Sequence, residues 1–488
     1  MRIKRELRFS LYVGLLASSL TTFAFGEAQA TPSSPAIVLP SDADIRNILS
    51  DRVSALAGQE DGIGIVVGVI GPGGRRVISY GHLNQGDPRP LNGDTVFEIG
   101  SVSKVFTALL LGDMVQKGEV SLRDPVAKYL PPGIGIAERN GSPITLLDLA
   151  THTSGLPFMP DDASVYAGSS AKQSTQKLYG FLSHYELPHA PGAEWGYSNI
   201  GYWLLGQALA SQARTDYETL LQTRVIAPLK LTNTAITPSL PMKARLAVGH
   251  NAVLQPAPPY SSVSIYSAMP AAGGLVSTAN DMLTFLSVCM GYEHSPLASS
   301  MALMLNDHRP IDDGSEQALG WVVMGEGKGD DRLIMHEGFT WGYASYVAWD
   351  PKNRVGVVVL SNQLAGVGDI GHHLLRSNVP LETPTVTKHT EIKLDSRILD
   401  TYVGEYEVKD EGLFRIIRDH DFLTIQVPPG WGLPKFRLRP ESGRDFFVAD
   451  LPLRATFQTG PNGRVNELLV YPPRGQHALS AYRVTVPK

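Results

Sequence analysis

The chain has 488 residues, 43% of them hydrophobic and 18% charged, with a formal net charge of −5. That length predicts two or three domains and leaves ample apolar material for a large core. The weak negative charge argues against nucleic acid or an anionic membrane as the main partner. The single cysteine, Cys289, rules out an intrachain disulfide, a cysteine zinc site and a CxxC redox pair. It sits in an apolar stretch and reads as a small buried hydrophobe.

The N-terminus has the pattern of an export signal. Arg2, Lys4, Arg5 and Arg8 precede an apolar run over 9–25, and Ala28-Gln29-Ala30 offers a small-x-small cleavage site. The alternative is a membrane anchor, which Ser18, Ser19, Thr21 and Thr22 weaken. No later run reaches the roughly 18–20 apolar residues that span a bilayer, so no stable membrane span is expected. The reading is a signal peptide over 1–30 and an exported protein, periplasmic or extracellular. A linker follows over 31–41, and Ser41 then suits the N-cap of a helix to about residue 57.

Residues 63–70 and 75–80 flank Gly71-Pro72-Gly73-Gly74 and predict an antiparallel hairpin. A helix is expected over 101–118, with Phe106, Leu109, Leu110 and Met114 on one face. Helices and loops dominate 124–238. Residues 342–349 and 354–360 read as strong strands around the turn Asp350-Pro351-Lys352-Asn353. The β segments at the two ends of this region are expected to pair in one antiparallel sheet. After a Pro- and Thr-rich linker over 381–393, short alternating segments from 394 to 488 predict a small all-β barrel or sandwich.

Ser101-Val102-Ser103-Lys104 opens the helix over 101–118. The i, i+3 spacing puts Ser101 and Lys104 on one helical face, where a partly desolvated lysine can help a serine lose its proton. The helix N-terminus favours a developing oxyanion. The same spacing at Ser169/Lys172 and Ser174/Lys177 lacks the apolar entry and the apolar helix behind it. In Tyr197-Ser198-Asn199, a tyrosine able to relay a proton lies beside an asparagine able to hold a substrate amide. His336-Glu337-Gly338 places a hydrogen-bonding residue before a glycine on what reads as an edge strand, where substrate could lie against the backbone.

Ordered S-x-x-K, Y-x-N and [KH]-x-G elements make the sequence resemble the class C β-lactamase and DD-peptidase superfamily. FEIGSVSK (97–104), ITLLDLATHTSGLP (144–157), PGAEWGYSNIGYWLLG (191–206) and AAGGLVSTANDM (271–282) carry the resemblance over about 42–380. It implies an α+β fold, with an antiparallel sheet flanked by helices and an all-helical subdomain, and the site in the cleft between. It implies an acyl-enzyme on Ser101, proton transfer shared by Lys104 and Tyr197 with the base left open, and Asn199 orienting the substrate. His336 takes the third-motif position with Glu337 and Gly338, and the oxyanion donors are the backbone N–H groups of Ser101 and Phe339. No metal or cofactor is implied. The expected substrate is a small molecule or peptide, namely a β-lactam, a D-Ala-containing peptide or an ester. The oligomeric state is unknown from sequence.

Glu337 departs from the family, which usually has a hydroxyl residue there to bind a substrate carboxylate. A glutamate in that orientation would repel a carboxylate, and histidine for lysine removes a permanent charge. Both leave room for an esterase or D-aminopeptidase on the same scaffold, unless Glu337 turns away towards a cation. A non-catalytic peptidoglycan-binding protein is a further alternative, opposed by the complete Ser101, Lys104, Tyr197 and Asn199 set. His152 reads as a hydrogen-bonded scaffold residue and His372-His373 as a helix face. Tyr402, Tyr406, Phe414 and Trp431 read as core of a C-terminal unit that resembles the lipocalin-like β-domain of some relatives.

Overall fold

A computed structural model describes residues 39–57, 62–160, 170–259, 267–311, 314–325, 332–383, 389–409, 412–428, 435–449, 453–461, 463–471 and 478–484. The expected signal peptide, most of the first linker and Trp431 lie outside the described residues. No described helix is long and apolar enough to cross a membrane.

Ser41 caps helix α1 (Asp42–Ala57) by accepting from Asp44 N–H at 3.2 Å. The predicted hairpin is β1 (Gly64–Gly71) and β2 (Gly74–Gly81). A short pair, β3 (Val96–Glu98) and β4 (Val276–Thr278), lies apart from the main sheet. The main sheet is completed by β5 (Arg309–Pro310), β6 (Glu316–Gln317), β7 (Val322–Met324), β8 (Leu333–Phe339), β9 (Ala344–Asp350) and β10 (Val355–Ser361). Its order is β2-β1-β10-β9-β8-β7-β6-β5, antiparallel throughout. The expected pairing of the two sequence ends is therefore β1 on β10, in the register Val67↔Val359.

The four longest inner strands are buried at nearly every position because both faces of the sheet are covered. On the back face, Ile65, Val67, Tyr346, Val357 and Val359 pack against Ile45 and Leu49 of α1 and Ile370 and Leu374 of α5 (Gly368–Leu375). On the front, Val66, Val347 and Val358 join the larger core. That core contains Phe106 of α2 (Ser103–Gln116), Trp203 of α3 (Asn199–Ala213) and Phe285 of α4 (Ala279–Cys289).

Residues 404–483 form a closed eight-stranded barrel: β11 (Gly404–Val408), β12 (Gly412–Asp419), β13 (Phe422–Gln426), β14 (Phe436–Pro440), β15 (Asp445–Phe447), β16 (Arg454–Thr459), β17 (Val465–Tyr471) and β18 (Leu479–Arg483). Pairing of Tyr406 with Arg483 closes it, so a barrel and not a sandwich forms. Tyr406, Phe414, Phe446 and Phe457 are at most 1% exposed in its core. Tyr402, Tyr406 and Phe414 lie in this core, as their sequence reading expects.

Candidate active site

The nucleophile turn depends on two glycines. Gly100 has φ +49°, and a Cβ there would lie 2.6 Å from the backbone N and O of Phe339. A Cβ on Gly338 would lie 2.0 Å from the Ile99 carbonyl oxygen. Ser345 on β9 donates to that same carbonyl at 2.8 Å. Backbone thus meets backbone at the junction of Ser101 and the end of β8, a contact that only residues without Cβ allow.

Ser101 sits in a 3₁₀ turn (Gly100–Val102), and the α-helix proper starts at Ser103. The amphipathic helix expected over 101–118 is instead buried on all sides from Ser103 to Met114. It is a central helix, so apolar residues surround it. The two decoy lysines do not reproduce this setting. Ser174 is buried on a separate helix (Ala171–His184) whose exposed face carries Lys172, and Ser169 lies outside the described residues.

Lys104 is fully buried. Its Nζ lies 3.1 Å from Ser101 Oγ, 2.7 Å from Asn199 Oδ1 and 2.6 Å from the Ala272 carbonyl. It also stands over the Tyr197 ring, 4.8 Å from the centroid. Burial holds its pKa well below the usual lysine value. The Ala272 carbonyl is held in place by α2 itself: Ser103 Oγ accepts from Leu275 N–H at 3.0 Å, and Thr107 donates to Ala271 O at 2.7 Å. Sequence reasoning missed Ala272, because a backbone carbonyl leaves no residue-type signal.

Tyr197 and Asn199 are positioned by the start of α3. Ser198 caps that helix through Gly201 N–H at 2.8 Å and donates to Pro157 O at 2.7 Å. His152, at φ +58°, accepts from Ser198 N–H at 3.1 Å and stacks on the Tyr197 ring at 4.2 Å. It is the scaffold residue the sequence suggested. Burial pushes the Tyr197 phenol far up, and the neighbouring Ser101 hydroxyl offsets part of that shift without forming a well-aligned hydrogen bond.

His336 and Glu337 separate on β8. Alternate residues of a strand face opposite ways. His336 lies on the front with Ile334, whereas Glu337 follows Leu333 and Met335 to the back. There it is buried opposite Tyr346, whose hydroxyl is raised by burial and further by Glu337, with Arg376 acting in the other direction. The expectation that Glu337 binds substrate is corrected: the strand pleat carries its side chain out of the cleft. His336 is held down to about 3 by burial and then by Lys104. Its Nδ1 lies 2.6 Å from Glu337 O, a contact that only an Nδ1–H can satisfy. His336 is therefore neutral near pH 7.

The edge-strand expectation is corrected as well. β8 lies inside the sheet, but β7 pairs only with Leu333, Ile334 and Met335. Among the described residues, His336 to Phe339 pair with β9 alone. The strand is an edge over the motif and nowhere else. Ser101, Lys104, Tyr197, Asn199 and His336 thus converge, and the Gly100–Gly338 contact brings the backbone of Phe339 against the nucleophile turn.

The Beta-lactamase family matches residues 49–376. The D-alanyl-D-alanine-carboxypeptidase/endopeptidase AmpH of Escherichia coli is 29% identical over 403 residues, covering 78% of this chain and all of its own. A beta-lactamase of Pseudomonas fluorescens is 29% identical over 66% of this chain and 94% of its own. The crystal structure of a class C beta lactamase from Rhodobacter sphaeroides superposes with a TM-score of 0.55 at 26% identity, covering 65% of this chain and 94% of that one. The octameric penicillin-binding protein homologue from Pyrococcus abyssi has a TM-score of 0.60 at 21% identity. It covers 90% of this chain and all of its own, so the shared fold is too long to leave out the barrel.

Proposed function

The chain belongs to the Beta-lactamase family, and from that premise we propose that it is an exported serine acyl-hydrolase working through an acyl-enzyme on Ser101. The observation that carries this reading is the contact set of Lys104. A neutral amine has two N–H donors and one lone pair. Asn199 Oδ1 and Ala272 O are acceptors and take both donors. The lone pair is left for the Ser101 O–H at 3.1 Å. Burial keeps the amine neutral enough to act as the base.

In the proposed sequence, the Ser101 proton passes to Lys104 as Oγ bonds to the substrate carbonyl carbon. The oxyanion is held by the N–H groups of Ser101 and Phe339. The carbon–leaving-group bond then breaks, and a proton reaches the leaving group through Tyr197, whose high pKa keeps it protonated until needed. Water, deprotonated along the same route, releases the acyl group.

For the substrate, relatives named as beta-lactamases and as a D-alanyl-D-alanine-carboxypeptidase support a β-lactam or a peptide ending in D-Ala-D-Ala. The orientation of Glu337 removes the carboxylate that would have repelled such substrates. The neutral His336 supports a second reading, an ester or an amino-terminal D-residue substrate that needs no fixed cation. The basic-then-apolar leader supports export.

Intact-protein mass spectrometry after incubation with a penicillin, beside Ser101→Ala and a p-nitrophenyl ester assay, separates these readings. A lasting adduct on Ser101 supports a peptidase with slow deacylation, and transient labelling with loss of the drug supports a β-lactamase. Ester cleavage without an adduct supports the second reading. Absence of any Ser101-dependent turnover would overturn the acyl-hydrolase assignment.

A further inference from the structure

The barrel touches the hydrolase body beside the end of β8. Trp341, two residues after Phe339, is partly buried against the aromatic core of the barrel. A second tie reaches the same place. Ala252 N–H donates to Ala449 O of the barrel at 3.1 Å. Two residues earlier, His250 N–H donates to Gly342 O at 3.1 Å, and a Cβ on Gly342 would lie 2.7 Å from the backbone of Gly249. The turn itself is tight, with Thr340 N–H donating to Tyr343 O at 3.1 Å and the Tyr343 hydroxyl donating to Ala247 O at 2.5 Å.

This turn ends the one stretch of β8 that β7 does not support. On its outer side, no strand among the described residues pairs with Phe339, and a misplacement of about 1 Å in such a site can cost roughly 100-fold in rate. We infer that the barrel, through Trp341, clamps the β8–β9 turn and thereby positions the Phe339 N–H that receives the oxyanion. Trp341 is a positioning residue: it acts through the strand end and touches no substrate. The inference rests on the acyl-hydrolase reading of Ser101 and Phe339.

The test uses Trp341→Ala and Trp341→Phe in the full chain, with active sites counted from the ester burst so that misfolded protein is discounted. A clamp acting on the oxyanion predicts a kcat about 10- to 100-fold lower in W341A, KM within about threefold, and recovery to within about threefold in W341F. Amide hydrogen exchange adds a readout independent of turnover. Peptides covering 336–343 should exchange at least about tenfold faster in W341A, while those of β12 and β13 keep wild-type rates. A kcat within about twofold of wild type together with unchanged exchange over 336–343 would overturn the clamp. If W341A loosens β12 and β13 too, Trp341→Leu decides by the same readouts. If the wild type shows no Ser101-dependent turnover, the acyl-hydrolase reading fails, and exchange alone decides whether the barrel holds the turn.

Discussion

Lys104 Nζ lies 2.7 Å from Oδ1 of Asn199, an oxygen that can accept but never donate. The amide thus absorbs one N–H of the lysine without adding charge. Asn199→Asp would put a carboxylate in the same place and favour the ammonium form. The Lys104 pKa would rise, and at a given pH less neutral amine would remain. The acid limb of the kcat/KM profile is expected to move up by about one unit or more. A limb that stays in place in the Asp variant would show that another group titrates there.

The close approach of Gly338 to Ile99 makes a second test. In Gly338→Ala the new Cβ meets backbone on one side and Ser345 Oγ, at 2.5 Å, on the other. Backbone cannot rotate away, so β8 and the nucleophile turn must separate. The expected outcome is a loss of about 100-fold or more in ester turnover, with about 1–3 kcal/mol lost in urea unfolding. Gly180→Ala is the control, because its Cβ meets nothing within 4 Å. It should leave turnover close to wild type and, in a helix interior, hold stability or raise it by up to about 1 kcal/mol.

The substitution of Glu337 reads differently in three dimensions than in one. Glu337→Gln and Glu337→Thr are expected to leave ester and β-lactam kinetics within about twofold of wild type, because the side chain lies behind the sheet. Their effect should instead appear in the thermal midpoint, since the group is buried beside Tyr346. Steady-state kinetics of both variants on both substrate types check this. A gain of β-lactam turnover in the threonine variant would place residue 337 in the cleft after all.

The meeting of Ser101, Lys104, Tyr197 and Asn199 was legible because polar side chains at short, fixed spacings mark it in the sequence. The hairpin of β1 and β2 and the strands β9 and β10 were legible from apolar runs bounded by turns. Glu337 was misplaced because a motif written as three consecutive letters hides the strand pleat, which separates neighbours by face. The edge character of β8 was half right: the limit at Met335 depends on where β7 ends. The all-round burial of α2 and the Ala272 carbonyl are properties of packing and backbone. In the barrel, local alternation cannot show the closing pair of β11 and β18, because that pairing joins residues nearly 80 apart.

Buried histidines make the fold sensitive to acid. His336 titrates at about 3 and His372 at about 4, both lowered chiefly by burial. In the unfolded chain each would titrate near 6.5. Between these values the unfolded state binds more protons than the native one, so stability rises with pH across the window and is lost as pH falls. From pH 7 to 5 each histidine is expected to remove about 2 kcal/mol. Urea unfolding at the two pH values measures the total over all such groups, with His152 and His250 also lowered by burial, and His372→Phe isolates one part. It keeps a ring against Tyr346, which His372 contacts edge-on at 5.4 Å, and removes the proton site. The variant should therefore lose about 2 kcal/mol less than wild type between pH 7 and 5. An equal loss in both proteins would mean that His372 does not titrate on unfolding in this range, and that other groups govern the acid limit of the fold.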